Sequence, residues 1–98
     1  MKVFIGKKNN QKRVESLITK NEKTSMLSIY FRDFKTLGLG DEEKFVLILD
    51  GPEEYLKIAE SLVKGFVETP DENLEKEIIK KFNEEENRAK EGFGFLFS

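Results

Sequence analysis

Any chemistry in this chain has to come from carboxylates, lysines, serines and two tyrosines, because it contains neither histidine nor cysteine. Those two absences remove the commonest general base, the commonest transition-metal ligand, thiolate nucleophiles, disulfides and cysteine-bound zinc or iron–sulfur centres. The carboxylates fall into two clusters. Asp41, Glu42 and Glu43 precede an apolar run, and Asp50, Glu53 and Glu54 follow it, about 20 Å further on at ~3.3 Å per extended residue. Asp50, Glu53 and Glu54, with the Gly51 carbonyl, are the hard oxygen donors that Ca²⁺ or Mg²⁺ takes. A divalent cation there is the alternative functional reading. No calcium-loop pattern accompanies these residues, and Asp50 and Glu53 also fit a helix capping box that needs no metal. A carboxylate pair does acid–base work only in a pocket that drives the two pKa values apart, and nothing in the sequence forecasts one. No nucleophile elbow, phosphate loop or dinucleotide fingerprint occurs, so the chain is not expected to be an enzyme and needs no cofactor.

The aromatic residues are the other functional signal. Nine phenylalanines stand in 98 residues. Phe93, Phe95 and Phe97 alternate near the C-terminus, and Tyr30 lies beside Phe31 and Phe34. If they occupy an uncovered sheet face, the apolar patch calls for a protein partner or a second copy. Gly92-Phe93-Gly94-Phe95-Leu96 resembles the core of the RNP1 motif of RNA-recognition domains, and Val3-Phe4-Ile5-Gly6 resembles its companion strand. That resemblance would imply bases stacked on strand aromatics. Against it, Glu91 stands where the motif opens with a basic residue. The motif also belongs on the third of four strands, and its last aromatic would fall on Ser98. Nucleic acid is therefore ranked third, behind a protein partner or homodimer and behind a cation.

The element that must position all of these is Lys44 to Lys64. Phe45, Leu47 and Leu49 alternate with Val46 and Ile48, so this strand is apolar on both faces and belongs inside a sheet. Asp50-Gly51-Pro52 ends it and starts a helix, with Glu53 and Glu54 at the favourable end of the helix dipole. Leu56, Ala59, Leu62, Val63 and Phe66 recur at helical spacing, and Gly65 fits the position just past the helix end. A second helix starts at Thr69-Pro70-Asp71-Glu72, with Leu74, Ile78, Phe82 and Ala89 as its stripe and Glu84-Glu85-Glu86 as a solvated face. Gly92 ends it, and Phe93–Phe97 is read as a final strand paired to the central one.

Earlier in the chain, Lys2–Gly6 is a strand and Met26–Phe34 is a strand with alternating faces. Arg13–Thr19 is the ambiguous stretch. Val14, Leu17 and Ile18 suit a helix, yet the stripe is thin, and a half-exposed strand ending in a turn at Lys20–Lys23 is preferred. The expected fold is one α+β domain over residues 1–98, with a mainly antiparallel sheet of about five strands and two consecutive helices on one face. The element order is β-β-β-β-α-α-β, with the ferredoxin-like β-α-β-β-α-α-β as the alternative. No apolar run approaches the ~18 residues of a membrane helix, so a cytoplasmic protein with no membrane partner is expected. Residues 1–35 carry nine basic and three acidic side chains, and residues 36–98 carry eight and sixteen. Charged residues make up 37% of the chain and are mostly Lys and Glu, a composition of heat-adapted proteins.

Overall fold

The computed structural model describes the backbone of residues 1–97 and the side chains of residues 1–88. Within them, three strands and four helices follow one another as β1 (Lys2–Lys7), α1 (Gln11–Lys20), β2 (Ser28–Asp33), α2 (Phe34–Leu37), β3 (Lys44–Asp50), α3 (Glu53–Val63) and α4 (Glu72–Phe97). The protein is α+β, as expected. The sheet has the order β1-β3-β2, with β3 antiparallel to both neighbours. β1 and β2 are therefore parallel to each other, joined by the α1 crossover, with β3 inserted between them as in split β-α-β arrangements.

The two-sided apolar pattern of β3 is explained directly. Phe45, Leu47 and Leu49 pack with Phe4 of β1 against Val14 and Ile18 of α1 and Leu56, Ala59 and Val63 of α3. On the opposite face, Val46 and Ile48 pack with Val3 and Ile5 against Phe34 and Leu37 of α2 and Ile78 and Phe82 of α4. Every residue from Phe45 to Leu49 is fully buried. At roughly 25 cal/mol per Å² of apolar surface, burial of this ribbon on both faces is a major source of stability.

Three expectations are corrected. First, the helices cover both faces of the sheet rather than one. The chain changes face along the linker after α3, where Glu68 lies on the outer edge of β1. Ile5 N–H donates to the Glu68 carbonyl (2.8 Å), and Glu68 N–H donates to the Ile5 carbonyl (2.7 Å). Gly65, at a φ of +92°, makes the turn that starts this linker. Second, Arg13–Thr19 is helix and not strand. Val14 and Ile18, four apart, are both fully buried beside α3. A thin stripe suffices because only one narrow side of α1 meets the core. The Lys20–Lys23 turn is correspondingly a helix exit: the Asn21 side chain accepts from the N–H groups of Lys23 (3.0 Å) and Thr24 (3.1 Å). The buried Thr24 hydroxyl donates to the Ile18 carbonyl at 2.6 Å. Third, the final strand Phe93–Phe97 falls within α4, which continues through Gly92. A strand there could not have paired with β3, whose two sides are already taken by β1 and β2. Among the described residues the sheet thus has three strands rather than about five, and the order departs from both expected ones. It resembles the ferredoxin-like alternative only if the one-turn α2 between β2 and β3 is set aside, and among the described residues it lacks the closing strand.

Smaller shifts occur at the helix starts. Pro52 is the N-cap of α3, not its first residue, and no side-chain cap forms there, so the expected Asp50/Glu53 capping box is not made. Asp71, not Thr69, caps α4, its carboxylate accepting from Leu74 N–H at 2.8 Å. Gly51 is required twice: its φ is +152°, and a Cβ there would lie 2.5 Å from Leu27 Cδ2. Among the described residues no helix is long and apolar enough to cross a membrane.

Candidate functional site

The sheet has two outer edges, and they differ. Ile5 sends both its N–H and its C=O outward to Glu68. In an extended strand these groups alternate sides, so Lys2, Phe4 and Gly6 point at β3 and bond Leu49, Leu47 and Phe45. Val46, Ile48 and Asp50 therefore point the other way, to Arg32, Tyr30 and Ser28. What remains on β2 is Ile29, Phe31 and Asp33, whose backbone groups face away from the sheet. Among the described residues no backbone segment outside α2 bonds them, although the Asp33 carbonyl already accepts from the Thr36 hydroxyl of α2 at 3.0 Å. The linker covers β1 at its centre, at Ile5, whereas among the described residues no backbone segment lies along β2, which is the more open edge. The burial of the two strands agrees: Val3–Gly6 of β1 is buried throughout, whereas Ile29–Asp33 of β2 is only partly buried.

A side-chain cluster sits on this edge. Arg32 Nη1 donates to the Phe31 carbonyl at 2.8 Å, one of the outward-facing acceptors. The same guanidinium donates through Nε to Glu85 Oε1 (2.8 Å) and through Nη2 to Glu86 Oε1 (3.2 Å), both on α4. It lies 5.4 Å from the centroid of the Phe82 ring, and Tyr30 meets that ring edge-on at 4.9 Å. All three guanidinium nitrogens are thus engaged, and the Arg32 side chain is only 26% exposed. Such partly desolvated, charge-assisted bonds hold more firmly than a surface ion pair.

The residues singled out from sequence are placed as follows. Tyr30 lies against α4 on a helix-covered face, not on an open aromatic surface. The side chains of Phe93, Phe95 and Phe97 lie outside the described residues. Asp50 is exposed at the end of β3, with Oδ1 3.7 Å from the N-terminal ammonium. Glu53 and Glu54 are exposed in the first turn of α3. Among the described residues no three His, Cys, Asp or Glu side chains are grouped to hold a metal ion. Phe4, on the strand that resembles the companion of RNP1, is 2% exposed and packs inward, so it offers no stacking platform. Glu85 and Glu86, read as a solvated face, are instead the partners of Arg32. The overlooked signal was an arginine in the middle of an alternating strand, on the face that a helix covers.

A cleft of about 310 Å³ opens at the far end of β1 and β3, between Lys7, Asn10, Lys44, Phe66 and Glu68. Lys7 and Lys44 are cross-strand partners there. Lys44 is held above the ordinary lysine pKa, first by its hydrogen bond to Glu42 and then by the charge of that carboxylate, with Glu68 adding a smaller pull against desolvation. Lys44 already has acidic neighbours, which makes this cleft a less distinctive site than the β2 edge. No protein-family model, curated protein or solved structure matches the chain.

Proposed function

We propose that the protein is a small non-enzymatic assembly module that pairs with a second copy of itself through β2. The observation that carries this reading is the inequality of the two sheet edges among the described residues, one interrupted at its centre by Glu68 and buried, the other without a backbone partner and only partly buried. An open edge is a template for another strand. A sheet with a single open edge gives a closed, two-fold dimer, whereas two open edges would propagate into fibres. Ser28–Asp33 contains no Pro, Gly or Lys, the residues that commonly discourage edge pairing. The segment is also self-complementary. Antiparallel pairing about a two-fold at Phe31 sets Arg32 opposite Tyr30 of the second copy and Ile29 opposite its Asp33. No like charges are then opposed. The partner surface is an edge rather than the aromatic sheet face suggested by the sequence, because both faces of the sheet carry helices.

Sedimentation equilibrium of the full chain from about 10 µM to 1 mM tests this, in the lower-affinity part of the range for protein association. A monomer–dimer equilibrium is expected, with amide exchange at Ile29, Phe31 and Asp33 slowing as concentration rises. Asp33 has a φ of −84°, close to what proline adopts, so Asp33→Pro deletes an outward N–H with little backbone strain and should weaken the dimer. A clean monomer at about 1 mM, or a dimer whose β2 amides exchange freely, would refute the proposal.

A further inference from the structure

We infer that Arg32 is a latch on the β2 edge, set by α4. The inference rests on the edge reading above and specifies how that edge is regulated. A second strand needs the outward carbonyls of β2 as acceptors, and Phe31 supplies the central one. That carbonyl is occupied by Arg32 Nη1 at 2.8 Å. The side chain is not free to leave, since Glu85 and Glu86 hold its other two nitrogens and the Phe82 ring lies beneath it. The planar fork of arginine makes this possible, because it reaches an edge carbonyl and two carboxylates on a different element at once.

An incoming N–H therefore competes with the guanidinium for the Phe31 carbonyl, and pairing strengthens when the guanidinium swings off it and loosens its hold on α4. The carboxylates make that step costly, so they oppose association without touching the incoming strand. Three consequences distinguish a latch from a merely structural ion pair. Glu85→Gln/Glu86→Gln, which leaves Arg32 in place, tightens self-association. Arg32→Ala tightens it further. Raised salt, by screening the Arg32–carboxylate pairs, tightens the wild type and has little effect on Arg32→Ala.

The test compares self-association of wild type, Arg32→Ala and Glu85→Gln/Glu86→Gln by sedimentation equilibrium at low and high salt. Circular dichroism confirms that each is folded, and the glutamine pair serves if Arg32→Ala is not. The expected result is a dissociation constant lowered about tenfold in Glu85→Gln/Glu86→Gln, the change set by roughly one charged hydrogen bond, and lowered further in Arg32→Ala. A dimeric wild type with variants unchanged or weaker would overturn the latch and leave edge pairing standing. Monomers in all three proteins would overturn both. A monomeric wild type beside dimeric variants would support the latch and refute self-assembly of the unmodified chain.

Discussion

Replacement of Ile78 by alanine tests whether α4 closes the second face of the sheet. Ile78 is fully buried among Val3, Ile5, Val46, Ile48, Phe34, Leu37 and Phe82, and among the described residues it is the most buried side chain of α4. The substitution removes three carbon atoms. At about 0.8 kcal/mol per buried methylene the transfer loss is roughly 2.4 kcal/mol. The cavity left behind raises the total to about 3–4 kcal/mol, within the 2–5 kcal/mol seen for such truncations. In a domain of this size each kcal/mol lowers the thermal midpoint by roughly 4–8 °C, so a fall of about 12–30 °C is expected. Urea unfolding followed by circular dichroism gives the same quantity as a lower midpoint at unchanged slope. Lys80→Ala, on the exposed side of the same helix, is the control and should stay within about 0.5 kcal/mol of wild type. If Ile78→Ala is as mild as that control, α4 does not pack on the sheet, and the two-faced core and the Arg32 cluster fall with it.

Gly51→Ala forces a side chain onto a backbone at φ +152° and into Leu27, and should cost about 1–3 kcal/mol of strain or more by denaturant midpoint. A loss below about 0.5 kcal/mol would contradict the assigned corner. Thr24→Val keeps the shape but leaves the buried Ile18 carbonyl without its donor, a cost of about 1–3 kcal/mol, whereas Thr24→Ser keeps the hydroxyl and should cost less. A Thr24→Ser cost as large as expected for Thr24→Val, with Thr24→Val itself nearly neutral, would show that the methyl, not the hydrogen bond, matters. The Lys44–Glu42 pair raises the folded-state pKa of Lys44, so its contribution is complete below the unfolded lysine value of about 10.4 and disappears as pH rises through the folded value. The stability gap between wild type and Lys44→Met should therefore be flat from about pH 6 to 9 and close in stronger alkali; a gap that persists there would exclude the pairing as its source.

β3 was legible from sequence alone because alternation on both faces has only one cheap solution, an interior strand covered above and below. The Asp50-Gly51-Pro52 corner and the positive-φ Gly65 were legible for a similar reason, since each is a local requirement met by a local residue. The strand-or-helix choice at Arg13–Thr19 was not local. Val14, Leu17 and Ile18 have helical spacing but make too thin a stripe to hold a helix unaided, and the presence of α3 beside them decided it. The alternating phenylalanines after Gly92 favour a strand by propensity, but propensity yields when β3 has no free side to offer. The candidate site was the least visible of all. Arg32 and its carboxylates are separated by 53 and 54 residues, and each looks like ordinary surface charge by itself. The sequence by itself determined which ribbon would be buried and where the chain must turn, because those follow from apolar spacing and backbone sterics. Only the tertiary structure decided which edge of the sheet stays open and which side chain covers it, because an edge is defined by the strands that are not beside it.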